Sequence, residues 1–346
     1  MWSLPTHERR LMRSAYLQAR RESLSSIWPY IQIARVDHWF KNVFMLLGVL
    51  VAFFYKPALL SWRSMPRIGL VLLVTCLIAS SNYVINEIID APRDRFHPIK
   101  NQRPAVAGVI RFRIALLEWL FLGALGIAAA LAIDFSLTVS ALMFWVMGVV
   151  YNVPPLRTKE LPYLDVLSES VNNPIRLFLG WFALIPDQLP PLSLTLAYWM
   201  VGAFFMGTKR FAEYRHIGDA KIAAQYRKSF GYYTEERLLV SMFFYATMSA
   251  LFAGVFLVRY HLELILFLPV AAGFFAYYLK LGLRENSPVQ NPEKLCKEGN
   301  FLAYLVLSMA LFAIIMFMHV PALYDLFNVE PAEVRQLWVI GSGARY

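Results

Sequence analysis

The sequence predicts an all-α, polytopic membrane protein of about nine transmembrane helices, and three observations carry that prediction. Apolar runs long enough to cross a bilayer recur from one end of the 346 residues to the other. The composition is 58% hydrophobic and 16% charged, with a mean hydropathy of +0.50. That leaves too little polar surface for a water-soluble fold of this size. Lys and Arg are also divided unevenly between successive loops, with 26 on one side of the predicted bundle and 6 on the other. This imbalance predicts a multi-pass protein of the cell membrane whose N-terminus and long charged loops are cytoplasmic. The net charge of +10 follows from the same imbalance, so no nucleic-acid partner is implied.

Taken in order, residues 1–30 form a basic arm that begins "MWSLPTHERRLMRSAYLQARRES" and has no apolar core of the kind a cleavable signal needs. Such an arm suits a surface of anionic lipid. Predicted spans then occupy 40–57, 66–86, 112–132, 135–152, 165–186, 190–208, 239–258, 262–280 and 300–320. They make a single transmembrane domain over 31–322, and a polar tail occupies 323–346. Cys76 falls within a span and Cys296 in a loop, which is neither a disulfide framework nor a metal knuckle.

The second apolar run passes directly into "NEIIDAPRDRFHPIKNQRP". If the helix continues past Asn86, then Asn86, Asp90 and Asp94 stack on one face a turn apart, with Glu87 beside them. Oxygen ligands on one face suit a hard cation such as Mg²⁺, which binds few carboxylates and completes its shell with water and phosphate. The plainer alternative is a solvated loop whose acids pair with its own arginines. Polar groups at the very end of an apolar run favour a site. Lys100 and Arg103 downstream are the cations a diphosphate needs beside such a metal.

Polar residues recur in other apolar settings. "RVDHWFKNVF" brings Lys41 and Asn42 to the start of the first span, with Trp39 where an interfacial aromatic belongs. "YNVPPLRTKELPYLDV" is a stiff, proline-rich connection flanked by Tyr151, Arg157, Lys159 and Asp165. The fifth span contains Ser168, Glu169, Asn172, Asn173 and Arg176, too polar a helix to face lipid. Arg176 requires an anion, either Glu169 or a ligand phosphate. Beyond the sixth span, Lys209, Arg210 and Glu213 lie at the membrane boundary on the same side as the acids, with Glu213 one turn beyond Lys209.

Together these residues resemble the UbiA superfamily of intramembrane prenyltransferases. The family pattern N-D-x-x-D-x-x-x-D followed by H-P-x-K-x-x-R-P is matched by Asn86, Glu87, Asp90, Asp94, His97, Pro98, Lys100, Arg103 and Pro104, with Glu87 in place of the usual aspartate. "RVDHWFKN" resembles the family's R-x-x-x-W-x-K-N opening, and "YNVPPLRTK" its Y-S-x-P-P-L-R-x-K connection. The resemblance implies helices around a central cavity, Mg²⁺ as cofactor, and Asn86, Glu87, Asp90 and Asp94 as its ligands, with Asp90 and Asp94 catalytic. It implies contacts to the donor's phosphates from Lys41, Asn42, Lys100, Arg103, Lys209 and Arg210. Tyr151, Arg157, Lys159, Asp165, Asn172, Arg176 and Glu213 would line the cavity and position substrate.

Members that use isoprenyl diphosphate carry a second D-x-x-x-D cluster between spans six and seven. Here the loop reads "KRFAEYRHIGDAKIA", in which Asp219 is followed four residues later by Ala223. That loop and the later "YRKSFGYYTEERL" resemble the branch of polyprenyl-phosphate phosphoribosyltransferases. The resemblance therefore implies transfer of 5-phosphoribose from its pyrophosphate to a lipid phosphate. Prenyl transfer to an aromatic or other small acceptor is the alternative, with Glu213 and Asp219 standing in for the second cluster. A transporter or a non-catalytic membrane scaffold is the third reading, although no repeated half with the paired broken helices of many transporters is apparent. Oligomeric state is left open.

Overall fold

A computed structural model describes residues 27–95, 100–290, 295, 297–330, 337 and 340, and the described residues are helical throughout the spans. Two short pieces open the chain, α1 (Trp28–Ile33) and α2 (Leu46–Tyr55), joined by a ten-residue 3₁₀ stretch, Val36–Met45. The tighter winding follows Arg35, whose φ of 49° lies in the left-handed region and redirects the chain. Next comes α3 (Met65–Asp94), then the turn α4 (Pro104–Ala107), α5 (Phe112–Leu131) and α6 (Phe135–Asn152). Asp134 caps α6 by accepting from the Ser136 and Leu137 amides at 2.7 and 3.3 Å. The remaining helices are α7 (Leu164–Ser170), α8 (Asn172–Phe182), α9 (Leu192–Ile217), α10 (Ala220–Tyr226), α11 (Glu235–Tyr260), α12 (Leu268–Gly282), α13 (Gly299–Met316) and α14 (Pro321–Phe327).

Among the described residues, seven segments are long and apolar enough to cross a membrane: Trp28–Tyr55, Trp62–Asp94, Phe112–Leu131, Phe135–Asn152, Glu235–Tyr260, Leu262–Gly282 and Gly299–Met316. The other two expected spans are present in altered form. The one placed at 190–208 is α9, which runs on to Ile217. The one placed at 165–186 is broken into α7 and α8 at Val171. The break has a local cause: Pro174 lacks an amide hydrogen, and the Asn172 side chain donates to the Glu169 carbonyl at 3.0 Å.

Burial divides the bundle into two apolar cores. One joins α2, α3, α6 and α8 around Ile78, Leu137, Leu179 and Trp181, all fully buried. The other joins α7, α9, α11 and α12 around Phe211, Phe230 and Leu281. Of the polar residues singled out above, Asn86, Glu87, Asp90 and Asp94 lie on α3, Tyr151 on α6, Asp165 and Glu169 on α7, Asn172 and Arg176 on α8, and Lys209, Arg210 and Glu213 on α9. Small residues permit the close crossings that membrane helices use. A Cβ on Gly180 would stand 2.0 Å from the Met45 carbonyl oxygen, and one on Gly48 would stand 2.0 Å from that of Leu177.

Candidate active site

The helical continuation expected of α3 is present: it runs unbroken through Pro92 to Asp94. Asn86, Asp90 and Asp94 thus lie on one face, and each is tied to a neighbouring element. Asn86 Nδ2 donates to Asn152 Oδ1 at 2.5 Å. Asp90 Oδ1 accepts from Lys159 Nζ at 2.6 Å and from Arg157 Nη2 at 2.8 Å. Asp94 is paired with Arg103 through Oδ2. Asn86 Oδ1, Asp90 Oδ2 and Asp94 Oδ1 accept no hydrogen bond among the described residues. Oxygens are what a hard cation takes, and neighbouring members of the row, about 6 Å apart along the axis, could share one ion with a ligand's phosphate. Among the described residues no group of three or more His, Cys, Asp or Glu side chains is placed to hold a metal ion.

Glu87 differs from the expectation. It is buried on another face of α3, facing Arg35 Nη2 at 3.5 Å and the Ala105 amide at 3.4 Å. One residue of offset turns a side chain by about 100° around a helix, which takes Glu87 off the row. Its neighbours make it a brace between α3, α4 and the residue preceding the 3₁₀ stretch.

The proline-rich connection supplies the cations. Arg157 adopts φ 33°, a left-handed conformation uncommon for a side chain of its size, and from there reaches Asp90, the Asn152 carbonyl (2.9 Å) and Glu160. Lys159 Nζ also donates to Asn152 Oδ1 at 2.8 Å. Burial pushes the Lys159 ammonium down to about 8, against the pull of Asp90. Asn152 is therefore the hub that joins Asn86 to Lys159, and it is not among the residues the sequence motifs single out. A signal for it exists all the same: Asn152 ends the apolar run of α6 as Asn86 ends that of α3.

Lys100 Nζ donates to Tyr226 Oη at 2.7 Å on α10, and burial lowers its affinity for its proton. Lys41 meets His38 Nδ1 at 3.2 Å. His97 and Pro98 lie outside the described residues.

Opposite α3, the wall of α7 and α9 is organised around Arg210. Its guanidinium is buried and meets Glu169 at 2.5 Å, Glu213 at 2.9 Å and Asp165 at 3.3 Å. This corrects its expected role as a free phosphate contact, because three carboxylates already surround it. Asp165 is fully buried and accepts from Tyr233 Oη at 2.6 Å and Ser229 Oγ at 3.0 Å, so it braces this wall instead of lining an open cavity. Tyr151 Oη donates to Glu169 at 2.7 Å. Lys209 has no carboxylate within ion-pair distance among the described residues.

Deeper in the bundle, Arg176 Nε donates to Asn42 Oδ1 at 3.1 Å and Nη1 to the Asn172 carbonyl at 3.4 Å, with the guanidinium 4.8 Å over the Phe144 ring. Glu169, one of its two expected anions, is instead taken by Arg210 and Tyr151. Arg176 has no carboxylate partner among the described residues.

Cations and a row of oxygens thus lie together within a helical membrane bundle, and comparison with known proteins gives the family. Residues 43–303 match the UbiA prenyltransferase family, and the chain belongs to that family. It is similar to the decaprenyl-phosphate phosphoribosyltransferase of Mycolicibacterium smegmatis, 29% identical over 60% of this chain and 63% of that one. The enzyme of the same name from Corynebacterium glutamicum is 28% identical over 59% of each chain. The match thus spans less than two thirds of the length of these curated relatives. In fold, the chain is similar to a UbiA homolog from Archaeoglobus fulgidus solved with DMAPP and Mg²⁺, with a TM-score of 0.62 and 21% identity over 86% of this chain and 99% of that one.

Proposed function

We propose that the protein transfers 5-phosphoribose from phosphoribosyl pyrophosphate to a polyprenyl phosphate and releases pyrophosphate, with Mg²⁺ as cofactor. The observation that carries this reading is the wall facing the α3 row. In place of a second open row of acids, α9 presents Lys209 without a carboxylate partner among the described residues, beside an arginine that neutralises the acids there. A donor with a 5-phosphate as well as a diphosphate brings more negative charge than a prenyl diphosphate and calls for such a wall. The similarity to two enzymes named decaprenyl-phosphate phosphoribosyltransferase supports the same donor.

An oxygen of the lipid phosphate, already anionic, attacks C1 of the ribose. The bond from C1 to the pyrophosphate oxygen breaks, and the electron pair leaves with pyrophosphate. No proton has to be removed from the nucleophile, so a general base is unnecessary. Asn86, Asp90 and Asp94 would hold Mg²⁺, which neutralises charge on the leaving diphosphate when bound. Lys159 and Arg157 keep Asp90 oriented, while Lys100 and Arg103 flank the diphosphate and Lys209 takes the 5-phosphate. Arg176, with Asn42 and Asn172, offers a deeper anion contact. The lysine and arginine imbalance supports a cell-membrane protein whose mouth opens to the cytoplasm, the side from which a water-soluble donor arrives.

The test is a membrane assay with Mg²⁺ that compares labelled phosphoribosyl pyrophosphate with labelled polyprenyl diphosphate. Label is expected to enter the lipid phase from the sugar donor. Incorporation solely from the prenyl donor would replace this reading with prenyl transfer to an aromatic or other small acceptor.

A further inference from the structure

Arg176 is a cation inside the bundle without a counter-ion among the described residues. Its Nε and Nη1 donate to Asn42 Oδ1 and the Asn172 carbonyl, and the Phe144 ring covers one face of the guanidinium. Nη2 makes no hydrogen bond among the described residues. The ionisable groups within electrostatic reach are Tyr83, Tyr198 and Cys76, residue types that are neutral at pH 7. A charge held away from water costs free energy unless an opposite charge meets it. The Tyr83 and Tyr198 hydroxyls are also without hydrogen bonds among the described residues. Arg176 on α8, Tyr83 on α3 and Tyr198 on α9 each keep some accessible surface, so they border an open space between three helices. One guanidinium edge and two hydroxyls are donors of the kind a phosphate takes.

The level of this space along α3 decides which anion suits it. Asn42 joins Arg176 to α3, since its Nδ2 donates to Cys76 Sγ at 3.3 Å while its Oδ1 accepts from Arg176. Arg176 therefore faces α3 near Cys76 and Tyr83. Those two residues share a helix face with Asn86, Asp90 and Asp94. At 1.5 Å of rise per residue they stand about 15 and 5 Å from Asn86, on its membrane side. A water-soluble donor reaches the row from the cytoplasmic mouth, where Lys100 and Arg103 lie. An anion at Arg176 sits beyond the row, within the apolar part of the bundle. A phosphate carried on an apolar chain can be delivered there from the bilayer.

We propose that Arg176, with the Tyr83 and Tyr198 hydroxyls, binds the phosphate of the lipid acceptor, so that donor and acceptor occupy successive stretches of one face of α3. That the lipid phosphate is an acceptor rests on the functional reading above; the lipid-phosphate site itself does not. Both reactants are anions, and Arg176 neutralises the acceptor's share of their mutual repulsion. From this position a phosphate oxygen forms its bond to ribose C1 on the membrane side, while the C1 bond to pyrophosphate breaks on the cytoplasmic side and the electron pair leaves with pyrophosphate.

The test measures binding by calorimetry on the full-length protein in detergent. Four ligands are compared: geranylgeranyl phosphate, geranylgeraniol, inorganic phosphate, and phosphoribosyl pyrophosphate with Mg²⁺. Wild type is expected to bind the lipid phosphate at least tenfold more tightly than the alcohol or inorganic phosphate. Arg176→Gln should abolish the preference over the alcohol and leave the dissociation constant of the sugar donor within twofold. Arg176→Lys, which keeps the charge, should retain part of the preference. Without ligand, the thermal midpoint of Arg176→Gln should equal or exceed that of wild type, because an unpaired charge is gone. Unchanged lipid-phosphate affinity in Arg176→Gln overturns the proposal, as does a wild type that does not tell the phosphate from the alcohol or from inorganic phosphate. A loss confined to the sugar donor also overturns it and moves Arg176 to the donor's 5-phosphate. A ligand-free midpoint well below wild type in both variants overturns it in favour of a structural role. Lipid-phosphate binding through Arg176, with no label taken from the sugar donor in the membrane assay, keeps the site and discards phosphoribosyl transfer.

Discussion

Lys159 on the connection after α6 and Asp90 on α3 are 69 residues apart in the chain and meet at 2.6 Å. The same ammonium donates to Asn152 at 2.8 Å, and Asn152 in turn accepts from Asn86 at 2.5 Å. One cation thus fixes two members of the α3 row at once. Lys159→Met removes both bonds and leaves Asp90 to Arg157. Turnover in isolated membranes is expected to fall roughly 100-fold, the scale of losing one preorganised charged contact, while the protein level is unchanged. Activity within twofold of wild type would remove Lys159 from the positioning role.

Asp90→Asn and Asp94→Asn test the row itself. Each keeps the side-chain volume and discards the negative charge that a divalent ion requires. Both variants should reach the membrane at wild-type levels and lose turnover by about two to three orders of magnitude. Glu87→Gln should be milder in turnover, since Glu87 faces Arg35 and the Ala105 amide away from the row. The comparison is read with labelled donor at saturating Mg²⁺. A Glu87→Gln loss equal to that of Asp90→Asn would return Glu87 to the row.

Lys209→Gln addresses the opposite wall. Lys209 has no ion pair among the described residues, so its loss leaves no buried carboxylate stranded. The Michaelis constant for the phosphoribosyl donor is expected to rise about tenfold, the effect of about 1.4 kcal/mol. The constant for the lipid phosphate should hardly move. The reverse pattern would refute the assignment of Lys209 to the 5-phosphate.

The α3 row was legible because it is local. A helical repeat of 3.6 residues and an apolar run ending at Asn86 are enough to place three oxygens on one face. The nature of Arg210 was hidden because its partners are not local. Asp165 and Glu169 come from a helix more than 40 residues earlier, and only the break at Val171 sets α7 at its own angle to α9. The fifth span reads in sequence as one polar helix with an unmatched arginine, so Glu169 could be assigned either to Arg176 or elsewhere. Packing decides it, giving Glu169 to Arg210 and leaving Arg176 to Asn42.

Asp165→Asn separates structural from chemical roles on that wall. Asp165 is fully buried and accepts from Tyr233 and Ser229 while facing Arg210 and Arg227. Removing its charge takes from Arg227 the carboxylate it pairs with and from Arg210 one of three, at a cost of about 3–5 kcal/mol. The thermal midpoint in detergent should drop well below that of Lys209→Gln. An Asp165→Asn midpoint equal to wild type would show that Arg210 does not depend on it.

Gly180→Ala tests how the deeper anion contact is held. Gly180 on α8 and Gly48 on α2 bring the two backbones together, and a Cβ on either would lie 2.0 Å from a carbonyl oxygen of the other segment. Carbonyls of packed helices cannot turn aside as side chains can, so the helices must separate. Overpacking of this kind costs about 1–3 kcal/mol. Separation also stretches the 3.1 Å bond from Arg176 to Asn42, because Asn42 precedes α2 and Arg176 lies one turn before Gly180. Gly180→Ala is therefore expected to lower both the thermal midpoint and turnover, although the residue touches no substrate. Gly254→Ala on α11 is the control, since a Cβ there meets nothing within 4 Å and a better helix former should leave the midpoint equal or higher. Equal behaviour of the two variants would show that the crossing of α2 and α8 does not set the position of Arg176.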